Sequence, residues 1–436
     1  MNTSRLLANY VCELQAEALR PDCREAALRC VFDLLAAAAA GFQERSSHAV
    51  RRVALSQYGS GTAGIWFTNQ RTSVTGAVFC NSAAASALDL DDGFRLARGH
   101  PGAAAIPAAI AALADVDISA DELLTAVIAG YEVGVRVAVG RHGYGPSGTW
   151  SPYAAIAAAG RVRRTKPEHL AHAFAISAQC APALGGLAGL MGSDVKEGIP
   201  WGATTGMTAL FLAESGYTGP EEILDSPALF ANERIVQGLG EPPLIGRTYF
   251  KPYACCRHIH APVEAFTELL RRHSLSAKDI VAVEIYTYSG TFNLSNARAP
   301  RDLVEAQYSV PYCIGVCAVR GASGLLPLDP SDLGEAGVLE VAGRVSLHRD
   351  PDLEAQFPAR SPARVVVTTA RGRFESPVTM PRGDPDNPLS WAELEAKFMA
   401  ATRHTLTLAQ QHKITAAIDR LKHGDPDPLR SALGPA

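Results

Sequence analysis

Positive charge, aromatic rings and long apolar runs are all scarce in this chain. With 40 lysines and arginines against 44 acidic residues the net charge is −4. No overall positive field exists to hold a polyanion, which argues against nucleic acid as a partner. Aromatic residues make up only 7% of a composition that is 47% hydrophobic, so the apolar content is mostly aliphatic and reads as a folded soluble protein. The longest apolar stretch, CVFDLLAAAAAGF, is short and carries Asp33, so no membrane span is expected. The start, MNTSRLLANYVCELQ, lacks the basic and uniformly apolar pattern of a secretion signal. Nine cysteines are scattered without the spacing of a disulfide scaffold, which fits a reducing cytoplasm. GxxxxGK[ST] and GxSxG are missing, and GGLAGLMG lacks the strand-to-helix context of a dinucleotide site, so a cofactor-free protein is expected.

What is present is helix. At 436 residues the chain is too long for one ordinary core, and two domains or three are expected. From residue 4 to about 265 alanine- and leucine-rich segments alternate with glycine, proline and polar breaks. Ser119 with Glu122, and Thr165 with Glu168, fit the capping box, the second with Pro167 in its first turn. The segment WGATTGMTALFLAESG should end in a left-handed cap at Gly216. Several of these helices are apolar nearly all round and should pack on more than one side.

The texture then changes. DIVAVEIYTYSG and GRVSLHRD read as strands, and ARVVVTTARGRFESPV reads as a hairpin turning at TARG. Helical stretches are expected around AQYSVPYCIGVCAVRG and DLGEAGVLEVAG, and Ser390 with Glu393 starts a helix that returns to the all-α pattern. The predicted fold is therefore mainly α: a large all-helical domain over 1–265, an inserted smaller α+β lid domain over 266–388, and completion of the helical domain by 389–436. The tail GDPDPLRSALGPA is expected to be mobile.

Three stretches could carry chemistry. ALDLDDGFRLARGHPG sets Asp89, Asp91, Asp92 and His100 between two apolar runs. Either Asp91 and Asp92 cap the next helix and His100 marks a loop, or buried carboxylates share a histidine and demand a cation nearby. A bound anion could also use the free amides where a helix begins near Gly102. GLMGSDVKEGIPWGA places Lys196 between glycine-rich turns, and FKPYACCRHIHAPVEAF concentrates Lys251, Arg257, His258 and His260 at the domain junction. Two cations and two titratable rings suit carboxylate recognition and proton transfer. Zinc on Cys255, Cys256, His258 and His260 is the competing reading, but the spacing is not that of a finger and no second pair completes it. No metal is expected.

Taken in order, these three stretches resemble the MmgE/PrpD family over nearly the whole chain. The resemblance implies a homodimer acting without metal or organic cofactor on a small di- or tricarboxylate, through proton transfer at a carbon next to a carboxylate. Carried over, the active-site aspartate falls on Asp89 or on the Asp91/Asp92 pair, the first histidine on His100 and the lysine on Lys196. The junction motif falls on Lys251, Arg257 and His260, with His258 beside them, and a lid tyrosine on Tyr312. His100 and His260 would then move protons while Asp89 and Asp92 tune His100, and Lys196, Asp91, Lys251, Arg257, His258 and Tyr312 would hold the substrate. Two departures stand out. Gly145 in YGPSGTWSP replaces a histidine that decarboxylase members use, with His142 as its nearest substitute. Gly93 stands where threonine is usual, which implies a roomier, less polar pocket. A lyase is expected, an epimerase is the runner-up, and an inactive carboxylate-binding relative is the non-enzyme alternative.

Overall fold

The structure, a computed structural model, describes residues 1–114, 116–182 and 193–435; the stretch GGLAGLMG lies outside the described residues. The chain is mainly helical. Alanine and glycine let its helices lie close together: Val74–Ser86, Gly102–Ala112 and Ser151–Val162 are buried on nearly every side. At Gly206, in the helix Ile199–Glu214, a Cβ would sit 2.4 Å from the carbonyl oxygen of Pro152, so only glycine permits that crossing.

Buried apolar side chains segregate into two main cores. The first draws on residues from Leu7 to Phe250 and again from Leu389 to Leu433, and the second on Cys255 to Val367. The change of core thus falls before Cys255, not at 265, because the helix Arg257–His273 buries Ile259, Val263 and Phe266 in the second core. That core backs a four-stranded sheet in the order Val345–Arg349, Ile280–Thr287, Arg364–Thr369, Gly372–Glu375. The first pair is parallel, with Ile285 opposite Leu347, and the others are antiparallel, closing in a hairpin at Thr369 and Gly372. A small third cluster of Ala37, Ala40, Leu88, Leu90, Ala254 and Ala401 seals the seam between the two cores.

The capping boxes at Ser119 and Ser390 form, and Gly216 adopts a φ of +92°. Thr165 does not cap its helix. That helix, Pro167–Cys180, has Lys166 at its N-cap, and the Thr165 hydroxyl donates instead to Glu214 at 2.5 Å. In the tail Asp427–Ala432 is a helix whose Leu429 is buried, and Leu433 offers its carbonyl to the Phe67 amide. Among the described residues one helix, Ala120–Gly140, is long and apolar enough to cross a membrane. Here it lies within the first core and carries a buried Glu132–Arg136 pair at 2.6 Å.

Asp33, the acidic interruption of the longest apolar run, has a purpose in this packing. Its Oδ1 accepts from Lys397 Nζ at 2.5 Å, both side chains being almost wholly buried, and Lys397 also donates to the Leu90 carbonyl at 3.1 Å. Removing one partner of such a pair strands a buried charge at a cost of about 3–5 kcal/mol, whereas replacing both with apolar groups is often neutral. Lys397→Met should therefore destabilise strongly in urea unfolding, and Asp33→Leu/Lys397→Met should recover most of the loss.

Candidate active site

The loop after the helix Val74–Ser86 is fixed from several sides. Asp92 is the capping aspartate: its Oδ1 accepts from the Gly102 amide at 3.1 Å and its Oδ2 from the Tyr131 hydroxyl. The Asp92 carboxyl thus takes up a free amide at the start of the helix Gly102–Ala112, where a bound anion could have been held, and it lies behind the cavity, not in it. Burial, only partly offset by Tyr131, pushes its pKa up to about 7. The Asp92 carbonyl accepts from His100 Nδ1 at 2.5 Å, which leaves His100 Nε2 free toward the interior.

Three carboxylates gather around the ring, two of them at Nε2 and one at Nδ1. Glu197 Oε1 is 3.6 Å and Asp89 Oδ1 3.8 Å from Nε2, and Asp91 Oδ2 is 3.8 Å from Nδ1. Glu197, passed over in the sequence for its neighbour Lys196, is aimed by Ser147, whose hydroxyl and amide both donate to its Oε2. Burial alone would lower the His100 pKa and Lys251 adds to that, but Asp91 and Glu197 outweigh both and raise it to about 9. His100 is therefore an imidazolium at neutral pH.

Asp89 joins this acid cluster to two lysines. Burial works against its charge, yet Lys251, Lys196 and His100 hold its pKa below the usual carboxylate range. Lys251 Nζ lies 3.2 Å from Asp89 Oδ2 and donates to the Asp89 carbonyl at 2.9 Å. Lys196 Nζ lies 3.8 Å from Asp89 Oδ1 and donates to the Ser86 carbonyl at 2.6 Å. Burial pulls the Lys196 pKa down against the pull of Asp89, while Lys251, also buried, is held above its ordinary value by Asp89 and Asp91.

These groups line a cavity of about 220 Å³ at the seam, shared by Asp89, His100, Glu197, Lys251, Arg257 and His258. A recess of about 50 Å³ continues it past Asp91 and Lys196. Arg257 is tied to Asp384 at 2.7 Å and His258 Nδ1 to the Tyr288 hydroxyl at 2.6 Å. Burial and Arg95 lower the His258 pKa to about 4, so this ring is neutral.

Several expectations need correction. His260 lines neither space: its Nε2 donates to the Cys255 carbonyl at 3.1 Å and its Nδ1 faces Arg257 at 3.4 Å, so it braces Arg257 and transfers no proton in the cavity. Tyr312 is buried in the second core and lines neither space, whereas Tyr308, four residues earlier at the end of the short helix Leu303–Gln307, reaches the cavity. His142 is exposed and bonded to the Pro227 carbonyl, so it does not stand in for a histidine at 145. A Cβ at Gly145 would meet Thr149 Oγ1 at 2.5 Å. Gly93 opens no extra room, because the Tyr249 ring lies 2.3 Å from where its Cβ would be. Tyr249, Tyr308 and Glu197 line the cavity and Asp384 holds two of its arginines, and nothing local in the sequence distinguishes any of the four.

The zinc reading of the junction fails on direction. Cys255 is packed in the second core, His260 turns to a backbone carbonyl and His258 to Tyr288. Among the described residues the donor atoms that do converge are those of Asp89, Asp91 and His100, within 4.8 Å of one another. The Lys251 and Lys196 ammonium groups already stand beside Asp89 as its counter-cations, and a divalent ion placed there would face both of them.

Residues 5–235 match the MmgE/PrpD N-terminal domain and residues 253–423 the MmgE/PrpD C-terminal domain. Cis-aconitate decarboxylase of Aspergillus terreus, and the same enzyme of its strain NIH 2624 / FGSC A1156, are each 25% identical over 347 residues, covering 71% of this chain and 70% of theirs.

The His100 environment makes a measurable prediction. A ring whose pKa rises from an unfolded 6.5 to about 9 adds stability that is complete below pH 6.5 and lost as pH climbs through 9. NMR titration of His100 should give a midpoint near 9, and Glu197→Gln should move it downward.

Proposed function

From the premise that the chain belongs to the MmgE/PrpD family, we propose that it is a cofactor-independent lyase acting on a small di- or tricarboxylate. The observation that carries this reading is the His100 imidazolium, held among Asp89, Asp91 and Glu197 and set beside two buried lysines in one seam cavity. Breaking a bond next to a carboxylate leaves negative charge on the adjoining carbon and carboxylate. Lys251 and Lys196 are preorganised to meet that charge in a water-poor space, where such groups act most strongly. His100 then gives its proton to the carbon or to the leaving oxygen, and its fixed Nδ1 bond keeps Nε2 aimed at that point. The decarboxylase activity of the Aspergillus relatives supports a lyase. In this reading the segment 266–388 works as a lid, the protein is a cytoplasmic homodimer, and Tyr308 replaces Tyr312 against the substrate.

Epimerisation is the second reading, favoured by one observation. His258, on the helix Arg257–His273, lines the same cavity and is neutral, so an acid and a base could serve one carbon in turn.

Methylcitrate, citrate, cis-aconitate and iminodisuccinate, each incubated with the protein in heavy water, should separate the two by proton NMR. A new product skeleton, such as an alkene, supports the lyase; solvent deuterium with inversion at an unchanged skeleton supports the epimerase; no change in any acid defeats both. For the acid that reacts, His100→Asn should cost about a hundred- to ten-thousand-fold in kcat. A step that needs the imidazolium should also lose kcat/KM as pH rises through about 9, and Glu197→Gln should move that limb to lower pH.

A further inference from the structure

The seam cavity has two electrostatically different ends. At the inner end Asp89, Asp91 and Glu197 face Lys196, Lys251 and His100, so opposite charges match. At the outer end they do not. Asp384 is the one acid between two guanidiniums, 2.6 Å from Arg95 and 2.7 Å from Arg257, and both of these lie against the Tyr249 ring. A third guanidinium, Arg98, also lines this end and among the described residues makes no ion pair at all; its contact is the Tyr144 ring, 4.9 Å away.

The backbone brings this about. Phe94 donates to the Gly99 carbonyl and Arg98 to the Arg95 carbonyl, so the four residues from 95 to 98 make a tight turn. Arg98 sits at φ +51°, a left-handed conformation that a side chain adopts only where its surroundings hold it. One turn therefore delivers two arginines with different duties. Arg95 is spent on Ser361 and Asp384 of the segment above, while Arg98 keeps its donors free.

Resting on the carboxylate-site reading above, we propose that Arg98 is a specificity-determining residue that binds a second substrate carboxylate, remote from the reacting carbon. The substrate class is then an acid with at least two carboxylates, one at the inner end beside Lys251 and the other at the outer end under Arg98. The guanidinium offers a planar pair of donors to that group, and the Tyr144 ring holds the plane in place.

Two unreactive acids of equal chain length test this: glutarate with two carboxylates and pentanoate with one, titrated by NMR against the full chain. The wild type should bind glutarate more tightly than pentanoate. Arg98→Gln should weaken glutarate about tenfold, the size of one charge-assisted hydrogen bond, and leave pentanoate unchanged. Arg98→Lys should retain part of the preference. Arg98 is exposed, so an unchanged thermal midpoint will show that the variant is folded. Equal effects on both acids, or none on either, would overturn the role of Arg98 while leaving the carboxylate site standing. Failure of the wild type to bind either acid would overturn both.

Discussion

A buried carboxylate that keeps its charge is the constraint from which the seam is built. Asp89 is 4% exposed, and an ionised group so far from water is tolerated only beside opposite charge and hydrogen-bond donors. Its counter-charges come from Lys196, from Lys251 and from His100. His100 stands on the same loop as Asp89, but the two lysines are remote in sequence, so satisfying one aspartate draws the helical body and the junction together. The cavity is the space that this convergence leaves.

Behind the groups that line the cavity lies a layer that only positions them. Tyr131 and the Gly102 amide hold Asp92, whose carbonyl fixes the His100 tautomer. Lys397, itself neutralised by Asp33, holds the Leu90 carbonyl between the two aspartates. Ser147 aims Glu197, and it fits only because Gly99 has no side chain: a Cβ there would come within 2.2 Å of the Ser147 hydroxyl. Dipoles and charges fixed in this way need not reorganise when charge develops on a substrate, which is where electrostatic catalysis gains most. The same logic explains His260, which serves the site by steadying Arg257.

The segment above the cavity is fastened by the same kind of contact. Arg95 reaches from the body to Ser361 and Asp384, and Arg257 meets it at the same aspartate. These bonds span 266 and 289 residues of sequence for Arg95 and 127 for Arg257. They join parts of the chain that the two apolar cores would otherwise leave separate. Leu326 from the second region packing on the seam cluster adds an apolar contact to the polar ones.

Local signals were legible where their cause was local. The caps at Ser119 and Ser390, the glycine cap at 216, the strand pattern of 280–287 and the hairpin at 369–372 arise from residues within one turn or one strand, so sequence alone determined them. The order of the three motifs likewise determined the family, and with it Asp89, His100, Lys196, Lys251 and Arg257 as residues of the seam cavity and its recess. Thr165 chose Glu214 over its own helix, and the tail found a docking place, because distant partners offered more than the local ones. Only the tertiary structure decided that Glu197, Tyr308 and Tyr249 line the cavity, that Asp384 holds Arg257 and Arg95 beside it, and that His260 and Tyr312 turn away. A side chain's direction depends on which remote surface it packs against, and no spacing along one segment carries that information.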